Sequence, residues 1–526
     1  MANDRVPVLI VGGAYTGLST ALGLAARGVK PLMVERRPTT STLPKAWGLN
    51  ARTMELLTTI PGVGDALRAA QEGRSLPRIR AGASLSAANL AEVDPTERLA
   101  LLAALTPSPI CFLSQATIEK IMRAQAEELG ADLRYGTEVV SWTQDADRVT
   151  ATLRDADGSE YTVQADYMVA ADGYTSPIRT QLGIPLEGRG KVGHLYVITF
   201  EADLSPYFTE GEFSIVALPG TGTSIIYDGS NATLWVDYHP DEGETEADFS
   251  NQRCVERVRA AVGVPDLECR IVNARPFALN HQLAERYKDG RVILAGDAAH
   301  ACPPVGGQGG NLAIQDGYDV AWRLALVVTG QAGPALLDTY QAERRPVVNI
   351  TLEREVELLK VSEGRILSTF DETQPIPTLR EILGFRYHSA AVLAEPGDDQ
   401  SLQEDPTTPV GHTGTRAPHV RLVRGGQPLS THDLFGSTFV LLTDAVGADW
   451  ADAAGKAADR LGVKVAVHRI GDELQDPDNA WHARYGIEAG GAALVRPDSV
   501  IAWRSRTAVA NPAHELDEAL TAILAR

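Results

Sequence analysis

The sequence predicts a mixed α/β and α+β protein of three parts: a Rossmann-type domain, a domain built on an antiparallel sheet, and a C-terminal domain of thioredoxin-like order. Three observations support this prediction. A β-α-β unit opens the chain, where the apolar run VLIV at 8–11 stops at a glycine pair. Strand-like segments without helical periodicity fill 194–239. Beyond residue 419, a β-α-β pattern is followed by a hairpin and a final helix.

The predicted domains are discontinuous along the chain. We assign the Rossmann-type domain to residues 1–75, 105–185 and 285–392, and the antiparallel-sheet domain to residues 76–104 and 186–284. Residues 393–419 are rich in Pro, Gly, Asp and Thr, which predicts a linker. Residues 420–526 form the thioredoxin-like domain, which contains no CxxC motif. A structural or dimerising role is therefore predicted for it, and a homodimer is left open.

Composition narrows the class of protein. The 526 residues carry a formal net charge of −20, which argues against nucleic acid or an anionic membrane as partner. The longest leucine-alanine run, around 99–105, is too short to span a bilayer. Four cysteines are scattered without metal-ligand spacing, so neither a metal site nor a disulfide framework is expected. These features predict a cytoplasmic protein.

The first motif with chemical meaning lies between the first strand and the first helix. It reads Gly12-Gly13-Ala14-Tyr15-Thr16-Gly17, and Glu35 ends the second strand. Glycines allow a tight turn and let a pyrophosphate approach the helix N-terminus, where free N–H groups favour negative charge. A carboxylate after the second strand is suited to ribose hydroxyls. Ala14 stands where the usual glycine motif has its second glycine, and its methyl group narrows the space between the turn and the pyrophosphate.

Two further motifs follow buried strands. Asp172-Gly173-Tyr174-Thr175-Ser176-Pro177-Ile178-Arg179 comes after the apolar run 167–171. Gly296-Asp297-Ala298-Ala299-His300 comes after RVILA, and the aspartate at this strand end is suited to ribityl hydroxyls. The glycine-dense stretch 303–311 then leads into a helix and would bring backbone N–H groups to a flavin's pyrimidine edge. For His300 a structural role is favoured over acid-base catalysis.

The order of these motifs resembles that of the single-component (class A) FAD-dependent aromatic hydroxylases of the para-hydroxybenzoate hydroxylase type. Over nearly its full length, the chain is similar to the subgroup that hydroxylates polyketide aromatics. The segments LNARTMELL, LSQATIEKIM, GFRYHSAAVL and RYGIEAGGAALVRPD add to the match. The resemblance implies an FAD enzyme.

The resemblance also implies which residues contact FAD. The expected contacts are Gly12, Ala14, Tyr15, Thr16, Gly17, Glu35, Arg36, Lys45, Gln115, Asp172, Asp297, Pro304, Gly307, Gly309, Gly310 and Asn311. Lys45 stands where the family usually has an arginine near the pyrophosphate, and lysine loses the fork geometry. Arg36 is interpreted equally well as a phosphate contact or as a solvated charge.

The implied reaction is that of an FAD-dependent NAD(P)H monooxygenase. NADPH or NADH reduces FAD as a transient co-substrate, O2 adds to form a flavin C4a-hydroperoxide, and oxygen is transferred to a polycyclic aromatic substrate of a secondary-metabolite pathway. Hydroxylation is the main interpretation. Baeyer–Villiger or ring-rearranging oxygenation on the same scaffold, and a non-catalytic flavin- or partner-binding protein, are kept as alternatives.

Candidates on the substrate side come from aromatic and basic residues. Tyr227, Arg386 and Tyr387 are the catalytic candidates, the last two as stabilisers of a phenolate. Trp235 and Tyr238 are the candidates for stacking on the substrate ring. For each aromatic in the predicted sheet, core packing is an equally good explanation.

Overall fold

A computed structural model gives the fold of the chain. It describes residues 4–41, 46–74, 77–87, 90–92, 94, 96–108, 110–209, 211–229, 231–361 and 379–526.

The strands are numbered in chain order. They are β1 (Asp4–Val11), β2 (Leu32–Glu35), β3 (Trp47–Leu49), β4 (Arg78–Ala81), β5 (Ala91–Glu92), β6 (Cys111–Ser114), β7 (Asp132–Tyr135), β8 (Glu138–Gln144), β9 (Val149–Arg154), β10 (Glu160–Ala170), β11 (Leu186–Ala202), β12 (Ser214–Leu218), β13 (Thr223–Tyr227), β14 (Ala232–Asp237), β15 (Cys269–Ala284), β16 (Lys288–Asp289), β17 (Val292–Leu294), β18 (His300–Ala301), β19 (Arg421–Arg424), β20 (Gln427–Ser430), β21 (Phe439–Asp444), β22 (Val465–Ile470), β23 (Ala492–Val495) and β24 (Ile501–Ser505).

The α-helices are numbered in the same way. They are α1 (Tyr15–Ala25), α2 (Ala51–Thr58), α3 (Val63–Gln71), α4 (Thr96–Leu105), α5 (Gln115–Glu128), α6 (Pro177–Gln181), α7 (Asn251–Val262), α8 (Gln308–Val328), α9 (Asp338–Val361), α10 (Leu379–Leu383), α11 (Ala448–Leu461), α12 (Trp481–Tyr485) and α13 (Pro512–Ile523). None of these helices, nor any other in the described ranges, is both long and apolar enough to cross a membrane.

The first sheet has the strand order β16-β17-β10-β1-β2-β7, with the β8–β9 hairpin joined to β10. Strands β17, β10, β1, β2 and β7 run parallel, as the buried apolar runs predict. Helices α1 and α8 pack closely on this sheet. A Cβ at Gly317 would lie 2.4 Å from the Thr16 carbonyl oxygen, so a larger residue would separate the two helices.

The second sheet has the order β18-β15-β11-β14-β13-β12-β4-β5 and is mostly antiparallel. Its two faces have different partners, because successive side chains of a strand point to opposite sides. One face packs against α7 in a separate apolar core that includes Ile198, Leu234 and Val258. The other face turns toward the first domain.

The C-terminal domain has a four-stranded sheet of order β22-β21-β23-β24, with β21 parallel to β22 and antiparallel to β23. Its elements follow the thioredoxin-like order that the sequence predicts. Helix α13 contributes Leu516 and Leu520 to the main core, and the Gly333 amide donates to the Leu524 carbonyl oxygen at 2.8 Å. The domain therefore packs tightly on the rest of the chain.

The segment 393–419, predicted as a linker, is hydrogen-bonded to the domains that it joins. The Leu393 amide donates to Ala502 and the Gly414 amide donates to Ile501, both at 2.8 Å. Arg416, which is 7% exposed, pairs with Glu55 of α2. We call this segment the strap: it is mostly exposed or half-buried over 393–410 and mostly buried over 411–418, and its hydrogen bonds go to the domains on either side.

One predicted boundary also needs correction. Helix α4 falls almost wholly within 76–104, which the sequence assigns to the antiparallel-sheet domain. Its Leu102 and Leu105 pack instead with Ala51, Ile382 and Leu383. Burial of this apolar stripe joins α4 to the Rossmann-type domain, whereas β4 and β5 join the second sheet as predicted.

Candidate functional site

A cavity of about 1520 Å³ lies between the first sheet and the second. It brings together most of the residues that the sequence predicts for FAD, although they are far apart along the chain. Those lining it are Gly12, Ala14, Tyr15, Thr16, Glu35, Arg36, Gln115, Asp172, Asp297, Pro304, Gly307, Gly309, Gly310 and Asn311.

The turn after β1 needs glycine at two positions. Gly12 has φ +114°, and a Cβ there would lie 2.1 Å from the Ala171 carbonyl oxygen. At Gly17 a Cβ would lie 1.8 Å from the Gly12 carbonyl oxygen. Gly17 does not line the cavity, so its contribution is to let α1 start against the turn rather than to contact a ligand itself.

Ala14 and Glu35 both line the cavity. Ala14 is the N-cap residue of α1 and offers no side-chain cap, so amides of the first turn remain available to an anion. The Glu35 carboxylate accepts from the Gly13 amide and the Arg37 amide, each at 2.9 Å. The groove beside Ala14 is open, because Ala14 itself lines the cavity.

The second motif holds the third one in place. The Asp172 carboxylate accepts from Ser176 Oγ at 2.6 Å and from the Ile178 amide at 3.1 Å. Burial raises the pKa of Asp172, although these hydrogen bonds oppose the shift. Arg179 donates to the Ala298 carbonyl oxygen at 2.9 Å. Arg179 therefore fixes the turn that carries Asp297.

The Gly296–His300 turn is also held by Asp316 of α8. Gly296 has φ +59°, and its amide donates to Asp316 Oδ2 at 3.0 Å. His300 Nε2 lies 2.8 Å from the same oxygen, and both side chains are buried. This is the structural role predicted for His300. Asp297, in the middle of the turn, is exposed toward the cavity.

The glycine-rich loop ends in a small amide network. Asn311 Oδ1 accepts from the Asn50 backbone amide at 2.8 Å, and Asn50 Nδ2 donates to Gln308 Oε1 at 3.1 Å. Asn50 lines the cavity and caps α2, where its side chain accepts from the Thr53 amide. Sequence reasoning missed Asn50. Its signal was an N-cap residue immediately before a helix in the LNARTMELL segment.

These features fit a flavin dinucleotide. The turns at Gly12 and Gly296 leave no room for side chains on the buried side of the backbone. The N-termini of α1 and α8 both open into the cavity, where their dipoles favour phosphate or a charged ring edge. Carboxylates stand at two separate points, Glu35 and Asp297, as needed for two sets of hydroxyls.

The far end of the cavity is apolar and aromatic. Trp47 and Phe213 lie 5.9 Å apart between ring centroids, and Phe112 stacks near Phe213 at 6.1 Å. Trp235 projects from β14 into the same space. Leu195, Val197, Ile215, Ile226 and Phe277 complete this wall on the second sheet. We call this part of the cavity the aromatic lobe.

The structure places Tyr227 and Tyr238 away from the cavity, which corrects their predicted roles. Tyr227 stacks on Phe208 with ring centroids 4.3 Å apart. Tyr238 packs edge-on against Phe249 in the core under α7. Both point to the opposite face of the sheet from Trp235, because side chains alternate along strands.

Arg386 and Tyr387 are also absent from the cavity wall. Arg386 is 4% exposed and donates to Asp398 at 2.8 Å. Tyr387 accepts from Arg344 at 3.0 Å, and burial raises the pKa of its hydroxyl to about 12. Arg386 thus bonds the strap through Asp398, and Tyr387 bonds α9 through its hydroxyl and the strap through its amide, which donates to Gly414. Neither side chain lines the cavity where a phenolate would bind.

Two basic candidates remain from the sequence. Lys45 lies outside the residues that the structure describes. Arg36 lines the cavity and is exposed. Its position fits a phosphate contact and a solvated charge equally well.

A buried acid beside the cavity was missed by sequence reasoning. Glu355 of α9 is 2% exposed, and burial raises the pKa of its carboxyl well above the usual range, with the Glu381 carboxylate adding to the shift. Within the described part of the chain, its oxygens have no hydrogen-bond partner apart from the weak thiol donor of Cys302. Cys302 lines the cavity, and burial raises the pKa of its thiol too.

We expect Glu355→Gln to stabilise the protein increasingly as pH rises. The folded state keeps the Glu355 proton, whereas the unfolded chain releases it above about pH 4.3, so this residue opposes folding more strongly at higher pH. Thermal melts from pH 5 to 8 measure the difference, with exposed Glu268→Gln as the control. An unchanged difference in Tm across this range would show that Glu355 is ionised in the folded protein.

Comparisons with known proteins agree with this geometry. A family model described as FAD binding domain matches residues 5–355, and one described as aromatic-ring hydroxylase, C-terminal, matches residues 410–526. Aklavinone 12-hydroxylase RdmE of Streptomyces purpurascens is 41% identical, over 100% of both chains. The 4-methyl-5-nitrocatechol 5-monooxygenase of a Burkholderia species is 39% identical, over 99% of this chain and 98% of that protein. The crystal structure of aklavinone-11 hydroxylase with FAD and aklavinone has a TM-score of 0.92 and 40% identity, covering 100% of both chains.

Proposed function

Because the chain belongs to the FAD-binding aromatic-ring hydroxylases and is an FAD-dependent monooxygenase, we propose that it hydroxylates a polycyclic aromatic polyketide, using NADPH or NADH and O2. The observation that carries this proposal is the continuity of the cavity. The flavin residues at one end and the aromatic lobe at the other share one space of about 1520 Å³. Such a space suits a dinucleotide together with a flat, multi-ring guest.

Each end of the cavity has a distinct task in the proposed reaction. Bound FAD supplies the redox chemistry that takes electrons from NAD(P)H and activates O2. Glu35, Asp297 and the N-terminus of α8 would hold the cofactor and direct its ring toward the second sheet. The aromatic lobe would orient the substrate and exclude water, because rings stack on Trp235 and Phe213 and leave little room for solvent.

The proposal is tested with purified, FAD-loaded protein. We expect tetracyclic polyphenols to stimulate NADPH oxidation and to gain one oxygen atom derived from labelled O2. A single-ring phenol, which fills little of the aromatic lobe, should stimulate oxidation less and release more hydrogen peroxide. A lactone or ring-opened product would show that the enzyme carries out Baeyer–Villiger oxygenation instead of hydroxylation. NADPH oxidation that no aromatic compound stimulates would refute the proposal.

Trp235 offers a direct test of the aromatic lobe. We expect Trp235→Ala to raise KM for a tetracyclic substrate about tenfold, because one stacking surface is lost. FAD affinity should stay unchanged, since Trp235 lies on the second sheet, away from the flavin motifs. Steady-state kinetics and flavin titration measure the two effects. Tyr238→Phe, on the opposite face of the sheet, is the matched control and should leave KM unchanged.

A further inference from the structure

A chain of buried charged side chains connects the C-terminal domain to the flavin-site turn. Its members are Arg496, Glu343, Arg344 and Asp316, and none is more than 1% exposed. Glu343 and Arg344 are neighbours on α9, and Asp316 belongs to α8. We call this set the ionic chain.

The C-terminal end of the ionic chain is the turn after β23. The Arg496 guanidinium donates to both oxygens of Glu343, at 2.6 and 2.8 Å, and to Asp498 at 2.6 Å. Nearby, Tyr318 of α8 donates to the Pro497 carbonyl oxygen at 2.8 Å. This turn is therefore bonded to both long helices beneath the cavity.

The other end reaches the turn that carries Asp297. Arg344 Nε donates to Asp316 Oδ1 at 2.8 Å. The second oxygen, Asp316 Oδ2, accepts from the Gly296 amide at 3.0 Å and lies 2.8 Å from His300 Nε2. Asp316 thus contacts both ends of the Gly296–His300 turn.

The energetics favour a positioning role for these charges. Buried ion pairs contribute little net stability compared with well-packed apolar residues, but they fix geometry, because any shift leaves a charge without a partner. Burial alone would raise the pKa of Asp316, yet Arg344 and His300 hold it well below its usual range. Asp316 therefore stays an anion that requires Arg344 to remain in place.

We propose that the C-terminal domain positions the flavin-site turn through the ionic chain, so that Arg496, Arg344 and Asp316 act as positioning residues for FAD binding. Replacing Arg496 removes the forked pair between Glu343 and the C-terminal domain and leaves Glu343 bonded to Arg323 and Ser389. The α9 turn on which Arg344 sits thereby loses this anchor to the C-terminal domain. Asp316 then loses its fixed partner, and the Gly296 amide loses a fixed acceptor. The inference depends on FAD binding alone and not on the identity of the substrate.

The test compares two buried arginines of the same domain in the full-length protein. Arg496→Met breaks the ionic chain. Arg504→Met breaks an ion pair between buried Arg504 and half-buried Glu395, and among the described residues neither partner bonds Glu343 or Asp316. We expect both variants to melt at lower temperature, but only Arg496→Met to weaken FAD binding, by about tenfold. Only Arg496→Met should also accelerate amide hydrogen exchange in the Gly296–His300 turn.

Equal FAD affinity and equal exchange in the two variants would overturn the proposal, because the ionic chain would then serve stability alone. If Arg496→Met does not fold, the comparison of Arg496→Lys with Arg504→Lys decides in the same way. Lysine keeps the charge but cannot bond Glu343 and Asp498 in a forked geometry, so Arg496→Lys should still weaken FAD binding more than its control. Both readouts are independent of turnover, so failure of the proposed reaction would leave them unaffected.

Discussion

Replacing Gly12 with alanine is expected to yield folded protein that contains almost no FAD. The new Cβ would lie 2.1 Å from the Ala171 carbonyl oxygen, far inside contact distance, and φ +114° is a conformation that L side chains rarely adopt. The turn must therefore move away from the end of β10. Because Gly12 lines the cavity next to Ala14, that movement shifts the amides proposed to bind the pyrophosphate.

Gly28→Ala separates this effect from backbone strain alone. Gly28 also has positive φ, at +78°, but a Cβ there would meet nothing within 4 Å. The control should lose some stability and keep its flavin. The ratio of flavin to protein absorbance measures occupancy, and far-ultraviolet circular dichroism measures folding. Full occupancy in Gly12→Ala would mean that the turn after β1 does not form the pyrophosphate site.

The flavin end of the cavity was predictable because its signals are local. Gly12, Asp172 and Asp297 each follow a buried strand of the first sheet, and parallel strands place their carboxyl ends at one edge of the sheet. Motifs as distant as Gly12, Asp172 and Asp297 could therefore be assigned to one site without knowing the path between them. The cavity contains all three.

The substrate end was less predictable, because it depends on strand register. Trp235 and Tyr238 look equivalent in sequence, yet they lie three positions apart and so face opposite sides of the sheet. The sequence also offered no sign that Trp47 and Phe112 would meet Phe213, since β3 and β6 pair in a small sheet of their own and Phe213 directly precedes β12 of the second sheet.

The strap formed by 393–419 shows a second limit of sequence reasoning. Proline, glycine and aspartate predict irregular backbone, and the backbone is irregular. Composition does not reveal where such a segment's hydrogen bonds go. Here they join residues more than a hundred positions apart, such as Leu393 and Ala502, so the segment is structural.

Arg416→Met is expected to cause the largest loss of stability among single substitutions at the strap, roughly 3–5 kcal/mol. Arg416 donates to both oxygens of Glu55, at 2.5 and 2.7 Å, and Glu55 is only 2% exposed. Removing the guanidinium leaves a buried carboxylate with Thr106 as donor at 2.6 Å and the Arg52 charge at 3.5 Å. Exposed Arg421→Met, which breaks a surface pair with Asp478, should change Tm little.

The stability lost in Arg416→Met should depend on pH, and the pKa shift of Glu55 sets the direction of that dependence. Burial by itself would raise the pKa of Glu55, but the Arg416 and His432 interactions outweigh it and lower the pKa to about 2. A carboxyl with a lowered folded-state pKa contributes stability above its unfolded value, near pH 4.3, and loses that contribution as pH falls toward 2. The difference in Tm between wild type and Arg416→Met should therefore be largest near neutral pH and shrink below about pH 4.

Glu55→Gln combined with Arg416→Met should recover part of the loss, because no charge is then left unpaired at that position. A deficit that grows on acidification would mean that Glu55 does not carry the buried charge.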